Sequence, residues 1–272
     1  MDNLTRRDFV GLVSIAGLGT FAVPAGAAEA PDAPTAPLPS VPDTFPSQSP
    51  ELAREMVGVS HANLARVNEL LKLHPTLANA SWDWGFGDWE SALGAASHVG
   101  SVEIARALLA HGARPSIFSA AMLGQLAVVK AFVEASHGVQ GTPGPHGITL
   151  LAHARAGGEG AKPVLEFLIA LGGADPTPNA AELPPEMAAR YAGVYAFGAR
   201  EGDRIEITVE KVGVRFKRAG GSVRNLVHVG DHAFHPVGAP AVRVRFAPAG
   251  ETVAELTVFD PDLVLRARRV GA

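Results

Sequence analysis

The chain of 272 residues contains no cysteine. That absence removes disulfide scaffolds, thiol nucleophiles, thiolate metal sites and a cysteine-linked lipid anchor together. Any metal would have to be held by histidine, aspartate or glutamate, and no recognised ligand spacing of the H-E-x-x-H kind is present. Excess positive charge is also missing: 23 Lys+Arg face 27 Asp+Glu, a net of -4, which excludes a strongly basic nucleic-acid binder. Charged residues make up only 18% against 47% hydrophobic, so the chain has material for a core and is not disordered as a whole. The N-terminal apolar run, residues 11–22, is too short to cross a hydrocarbon layer, which takes about 20 residues. Aromatics are sparse at 6%, yet all three tryptophans fall within residues 82–89.

Ahead of the apolar run stand Arg6 and Arg7, and behind it the small residues Ala25, Gly26 and Ala27. This order resembles a bacterial twin-arginine signal peptide. The resemblance implies removal of residues 1–27 by cleavage after Ala27, a periplasmic location, and membrane contact only during export. Residues 28–50 then carry Pro31, Pro34, Pro37, Pro39, Pro42, Pro46 and Pro50 among Ala, Ser and Thr, a composition that forbids helix and reads as an extended linker.

From residue 51 apolar residues recur at helical spacing in short paired segments broken by Gly, Pro or Asn. The clearest unit runs from Ser91 through His98 and Gly100, then Val102 to Leu109, and ends at Gly112, Ala113 and Pro115. Its small alanines, its double leucine and its Gly-Ala-x-Pro close resemble the ankyrin repeat over residues 51–176. About four units can be laid on the pattern, in a domain of residues 51–182. The spacing is irregular, since Gly100 to Gly124 is shorter than a family repeat and Gly157, Gly158 and Gly160 interrupt the fourth unit. The resemblance implies a protein–protein interaction module without catalysis or cofactor, and an unidentified protein partner.

Beyond residue 183 the periodicity changes to alternation. Val214, Phe216, Val244 and Phe246 share one strand face, and Arg215, Lys217, Arg243 and Arg245 the other. Strands are expected at 193–198, 204–210, 212–217, 225–229, 242–246, 252–259 and 263–268, forming an antiparallel meander with one wet face. Tyr191, Gly193 and Tyr195, with Asp231 to Phe234, resemble the small β domain appended to some β-lactamase-like serine hydrolases, and imply an accessory domain of residues 183–272. No S-x-x-K or G-x-S-x-G is present to supply the nucleophile. The expected fold is therefore α+β: an all-α ankyrin-like array followed by a small antiparallel β domain. The 51–182 segment and its linker carry excess acid and residues 183–272 a slight basic excess, which could complement each other across an interface.

Three stretches could carry chemistry. Trp82, Asp83, Trp84, Phe86, Asp88, Trp89 and Glu90 press aromatic rings, acids and glycines into one loop, which suits contact with a ligand or peptide or a cap on the apolar edge of the array. His98, His146 and His153 fall near helix starts; helix-start hydrogen bonding accounts for them, with acid–base or metal chemistry as the sharper possibility. His228, Asp231, His232 and His235 read as a polar turn. No metal site is expected. The alternative to an interaction module is a periplasmic enzyme or small-ligand-binding protein using the loop of residues 82–90 with His98 and His153; a tight cluster of Asp83, Asp88, Glu90, His98 and His153 in a pocket would favour it.

Overall fold

The computed structural model describes residues 41–271, apart from 177–179, 212, 251 and 261–262. Residues 44–272 form one compact unit, and among the described residues no helix is long and apolar enough to cross a membrane. The expected cleavage site at Ala27 lies outside the described residues.

Among the described residues eight α-helices come first: α1 Pro50–Val59, α2 Leu64–Leu73, α3 Ala92–His98, α4 Val102–Ala110, α5 Ile117–Met122, α6 Leu126–Ala135, α7 Leu150–Ala156 and α8 Lys162–Leu171. Small polar residues start several of them by accepting a backbone N–H. Ser49 accepts from Leu52 at 3.2 Å, Asn63 from Arg66 at 3.0 Å, Ser91 from Gly94 at 2.9 Å and Thr149 from Ala152 at 3.2 Å. Alanines at the contact let neighbouring helices approach closely. Ala92, Ala95 and Ala96 of α3 share one buried cluster with Leu70 and Leu71 of α2 and Ile104 and Leu108 of α4, and a second cluster joins α5 through α8.

Between α2 and α3 the chain makes a two-stranded antiparallel hairpin, β1 Ser81–Asp83 and β2 Trp89–Ser91, with Trp82 opposite Glu90. Its tip holds Gly85, Phe86 and Gly87 at positive φ. A ninth helix, α9 Pro185–Tyr191, leads into eight strands: β3 Gly193–Ala196, β4 Arg204–Glu210, β5 Gly213–Arg218, β6 Val223–Gly230, β7 Ala233–Pro236, β8 Arg243–Ala249, β9 Thr252–Asp260 and β10 Leu263–Arg269. They close into an antiparallel barrel when β10 pairs with β3 through Arg268 opposite Ala196 and Arg269 opposite Tyr195. An eight-stranded barrel is just wide enough to be filled by its own side chains. Tyr195, Ile205, Phe216, Phe234, Val244, Phe246 and Leu256 fill this one, and Tyr191 of α9 joins them with its ring 4.6 Å from Phe246.

The expected fold class is overturned. The β region is a closed eight-stranded barrel where a small one-sided meander was expected, and the helical region is not all-α, because it carries the β1–β2 ladder. Parity was read correctly for the two strands to which faces were assigned, with Val214 and Phe216 inside on one, and Arg243 and Arg245 outside and Val244 and Phe246 inside on the other. The face opposite the wet one is a barrel interior, which the chain covers by coiling on itself.

Helices and barrel meet along a seam. Phe86 reaches from the hairpin tip onto the barrel, its ring 5.5 Å from Phe216. Gly147, in the turn before α7, lies against Gly238 between β7 and β8; a Cβ on Gly147 would sit 2.9 Å from Val237 and 3.1 Å from the Gly238 nitrogen. Buried between the two parts, Arg224 of β6 forms an ion pair with Asp88.

Candidate functional site

Glu90 lies on the same face of the hairpin as Trp82 and Trp84 and just before the Ser91 cap of α3, so its side chain is carried inward and is fully buried. Its Oε2 accepts a hydrogen bond from Trp84 Nε1 at 2.7 Å. Three imidazoles surround the other side of the carboxylate. His61 comes from the turn after α1, His98 from the last turn of α3, and His146 from the 3-10 turn Pro145–Gly147. His98 Nε2 is 2.9 Å and His146 Nε2 3.3 Å from Glu90 Oε1; His61 Nε2 is 3.6 Å from Oε2 and 3.2 Å from His98 Nε2. Ligating atoms of these four residues all lie within 4.8 Å of one another, so among the described residues this is the group that could hold a metal ion.

A second carboxylate supports the first. His146 adopts φ 58, an uncommon left-handed backbone for a residue with a side chain, and in that conformation both its N–H (2.8 Å) and its ring Nδ1 (2.7 Å) face Asp88. Asp88 is also paired with Arg224, whose second terminal nitrogen donates to Gly85 O at 3.4 Å. His61 is oriented in a similar way by the contact of its Nδ1 with Gly58 O at 3.0 Å.

Burial by itself would raise the Glu90 carboxyl, but contacts with His146, His98 and His61 win and hold it at about 2. Asp88 follows the same pattern: burial opposes ionisation, and the bonds from His146 and Arg224 bring it to about 2. His146 is pushed up to about 9 by Asp88 first and Glu90 second, against its burial. His153 moves the other way, lowered by burial.

Five of the nine expected binding residues gather at or beside this centre: Asp88, Glu90, His98, Trp84 and His153. His153 is buried behind it, ring centroid 6.4 Å from that of His98, with Nδ1 directed at Thr149 O at 2.8 Å. Phe86 serves the seam. Trp82 packs partly buried on the helical core. Asp83 caps the Gly85 N–H at 2.8 Å, and Trp89 points away, 63% exposed. Helix-start bonding does not account for His98 or His146, whose partners are Glu90 and Asp88. His61 and Arg224 were not singled out from the sequence, and His146 was set aside. Arg224 carried a signal, since it shares the inward parity of Leu226 on β6. The polar turn of the barrel does not converge: His228 Nδ1 contacts Glu182 O at 3.0 Å, and His232 Nδ1 the Tyr191 hydroxyl at 2.7 Å.

A cavity of about 360 Å³ opens against the cluster. His61, Trp84 and His146 line one side, and Ser222, Val223, Arg224 and Asn225 of the barrel rim the other, with Val237. The His61 and His146 edges are therefore reachable from the cavity, and the two carboxylates lie behind them. Comparison with known proteins adds no relative to this picture: no protein-family model, no curated protein and no solved structure matches the chain.

Proposed function

We propose that this is a small-molecule-binding protein whose ligand occupies the cavity at the seam between helices and barrel. One observation carries the reading: a cavity within the ~300–1,000 Å³ range of ligand sites has a wall built from imidazoles that two buried carboxylates orient. Burying charges is costly, and Asp88, Glu90 and Arg224 together are more of them than a structural seam needs. Ser222 and Asn225 offer hydrogen-bonding groups opposite the imidazoles, Arg224 adds a positive charge, and Trp84 and Val237 add apolar surface. That lining fits a small carboxylate with a short apolar body. The N-terminal arginine pair and small-residue site support export, so the ligand would be met in the periplasm. A protein partner is supported by Trp89, exposed outside the cavity.

The test is a melting-temperature and calorimetric series with small carboxylates, from acetate to succinate and benzoate, on the wild type and on Asn225→Trp, which fills the cavity from its barrel rim. Saturable stabilisation by at least one probe, abolished in the filled variant, is the expected result. No shift with any probe, or equal shifts in both proteins, overturns the reading.

A further inference from the structure

We infer that His61, His98, His146 and Glu90 bind one divalent transition-metal ion of the zinc type, with its free side turned to the cavity. This deepens the ligand-binding reading and rests on the same wall, but the ion can be present whether or not a carboxylate is the ligand. The first ground is spacing. Zinc bonds of about 2.0–2.1 Å in a tetrahedron place neighbouring ligand atoms about 3.3 Å apart. The separations here are 3.2 Å for His61 Nε2 to His98 Nε2, 2.9 Å for His98 Nε2 to Glu90 Oε1, and 3.3 Å for His146 Nε2 to Glu90 Oε1.

A second ground is the distribution of protons. Gly58 O and Asp88 Oδ2 can only accept, so the Nδ1 atoms facing them carry hydrogens in His61 and His146. A bound ion takes the place of the second proton of His146, and in the neutral rings each Nε2 then presents a lone pair to the centre. Glu90 Oε1 is buried without any hydrogen bond, although two imidazole nitrogens stand close to it. His98 Nε2 and His61 Nε2 are within hydrogen-bond distance of each other, but no proton is aligned on the buried Glu90 Oε1, and a cation at the centre would satisfy that oxygen and the ring nitrogens together.

The surroundings have the character of an outer shell. Metal-bound histidines usually donate their other N–H to a carboxylate or carbonyl, as His146 does to Asp88 and His61 to Gly58, and a ligating carboxylate is itself hydrogen-bonded, as Glu90 is by Trp84. Three imidazoles and one carboxylate favour zinc, cobalt, nickel or copper over magnesium and calcium, which take oxygen ligands. His61 and His146 line the cavity while Glu90 does not, so a further ligand would approach from the cavity side. With neutral imidazoles, the ion's two positive charges and that of Arg224 exceed the charges of Asp88 and Glu90 by one. An anionic oxygen donor, such as a carboxylate, completes that balance.

The experiment uses the full chain, stripped by a chelator, dialysed and titrated with Co²⁺ and then Zn²⁺. The expected result is one equivalent of cobalt with the intense visible bands of tetrahedral coordination, displaced by one equivalent of zinc, and a metal edge spectrum fitted by three imidazoles and one carboxylate. His98→Ala and Glu90→Gln should each lower affinity beyond the ~10–100-fold expected for Asp88→Asn in the outer shell. His137→Ala, at an exposed position, should leave it unchanged. The wild-type spectrum needs no variant, so misfolding of a mutant cannot hide the answer. Absence of tight one-to-one binding, a six-coordinate all-oxygen spectrum, or unchanged affinity in folded His98→Ala overturns the inference. Cobalt bands that form but do not respond to acetate, succinate or benzoate keep the ion and overturn the carboxylate as ligand.

Discussion

Asp88 and Arg224 are separated by 136 residues in sequence, yet they form an ion pair in which both side chains are less than a tenth exposed. The hairpin that supplies Asp88 belongs to the helical layer and the strand that supplies Arg224 to the barrel, so this pair ties the functional cluster to the seam. Removing one member of a buried pair leaves the other charge unsolvated, which typically costs more than the pair itself contributes. Arg224→Leu is therefore expected to lower stability by about 3 kcal/mol in denaturant unfolding. Asp88 keeps its His146 contact, so the double variant Arg224→Leu, Asp88→Asn should recover part of that loss. A single-variant loss below about 0.5 kcal/mol, the size of ordinary surface changes, would show that the pair is solvated and does not hold the seam.

The backbone approach of Gly147 to Gly238 gives an independent handle on the same seam. Gly147 has φ 70, and an added methyl would overlap Val237 and the Gly238 backbone. Gly147→Ala carries both the conformational cost of a left-handed side chain, about 1–2 kcal/mol, and that overlap. The expected readout is a lower unfolding midpoint together with faster amide exchange in the turn that holds His146. Exchange confined to β7 and β8, with that turn unchanged, would mean that the glycine pair does not position the site.

Much of the barrel was legible strand by strand. Seven of its eight strands fall where alternation places them, because Ile205 and Ile207, Val214 and Phe216, Val244 and Phe246 repeat at every second residue. The missed strand, β7, is short, ends in Pro236 and follows Asp231 and His232 at positive φ, so its residues read as a turn. Closure had no local signature: a strand with one apolar face looks the same in an open meander and in a barrel, and the closing contact of β10 with β3 involves only two residue pairs. The site was half visible. Glu90, Asp88 and Trp84 stand together in sequence with His98 one helix away, whereas His61, His146 and Arg224 come from three distant segments that only the tertiary packing brings to Glu90.

Burial in the barrel gives a prediction about alkaline pH. Tyr195 is fully buried with its hydroxyl donating to Tyr191 O at 2.8 Å, and burial pushes its phenol up to about 12; burial raises Tyr191 as well. Between the ordinary phenol value near ~10 and about 12, the folded protein keeps a proton that the unfolded chain has lost. The unfolded state then binds fewer protons, and stability must fall as pH rises through that window. The chain contains two tyrosines, so phenolate absorbance reports on these two alone. The expected titration has no step near pH ~10 while the protein is folded, and a late rise that coincides with unfolding. A normal step for both phenols under folded conditions would place them in contact with solvent.

The three tryptophans separate the two uses of the hairpin. Trp89 is 63% exposed, so Trp89→Ala should change stability by no more than about 0.5 kcal/mol. Trp84 packs partly buried on the helical core and donates to a fully buried carboxylate, so Trp84→Ala removes both packing area and the hydrogen bond on Glu90 Oε2. A loss of about 3 kcal/mol is expected, the lower end of the range for a buried tryptophan. Trp84→Phe tells the two contributions apart, since it keeps most of the ring and deletes the donor. Leaving a charged acceptor unpaired costs about 1.5–3 kcal/mol, so the Phe variant should recover less than half of the Ala loss and should bind cobalt more weakly than wild type. Full recovery of stability with unaltered cobalt affinity would make Trp84 a packing residue only, and Glu90 would then owe its orientation to the histidines and the hairpin backbone.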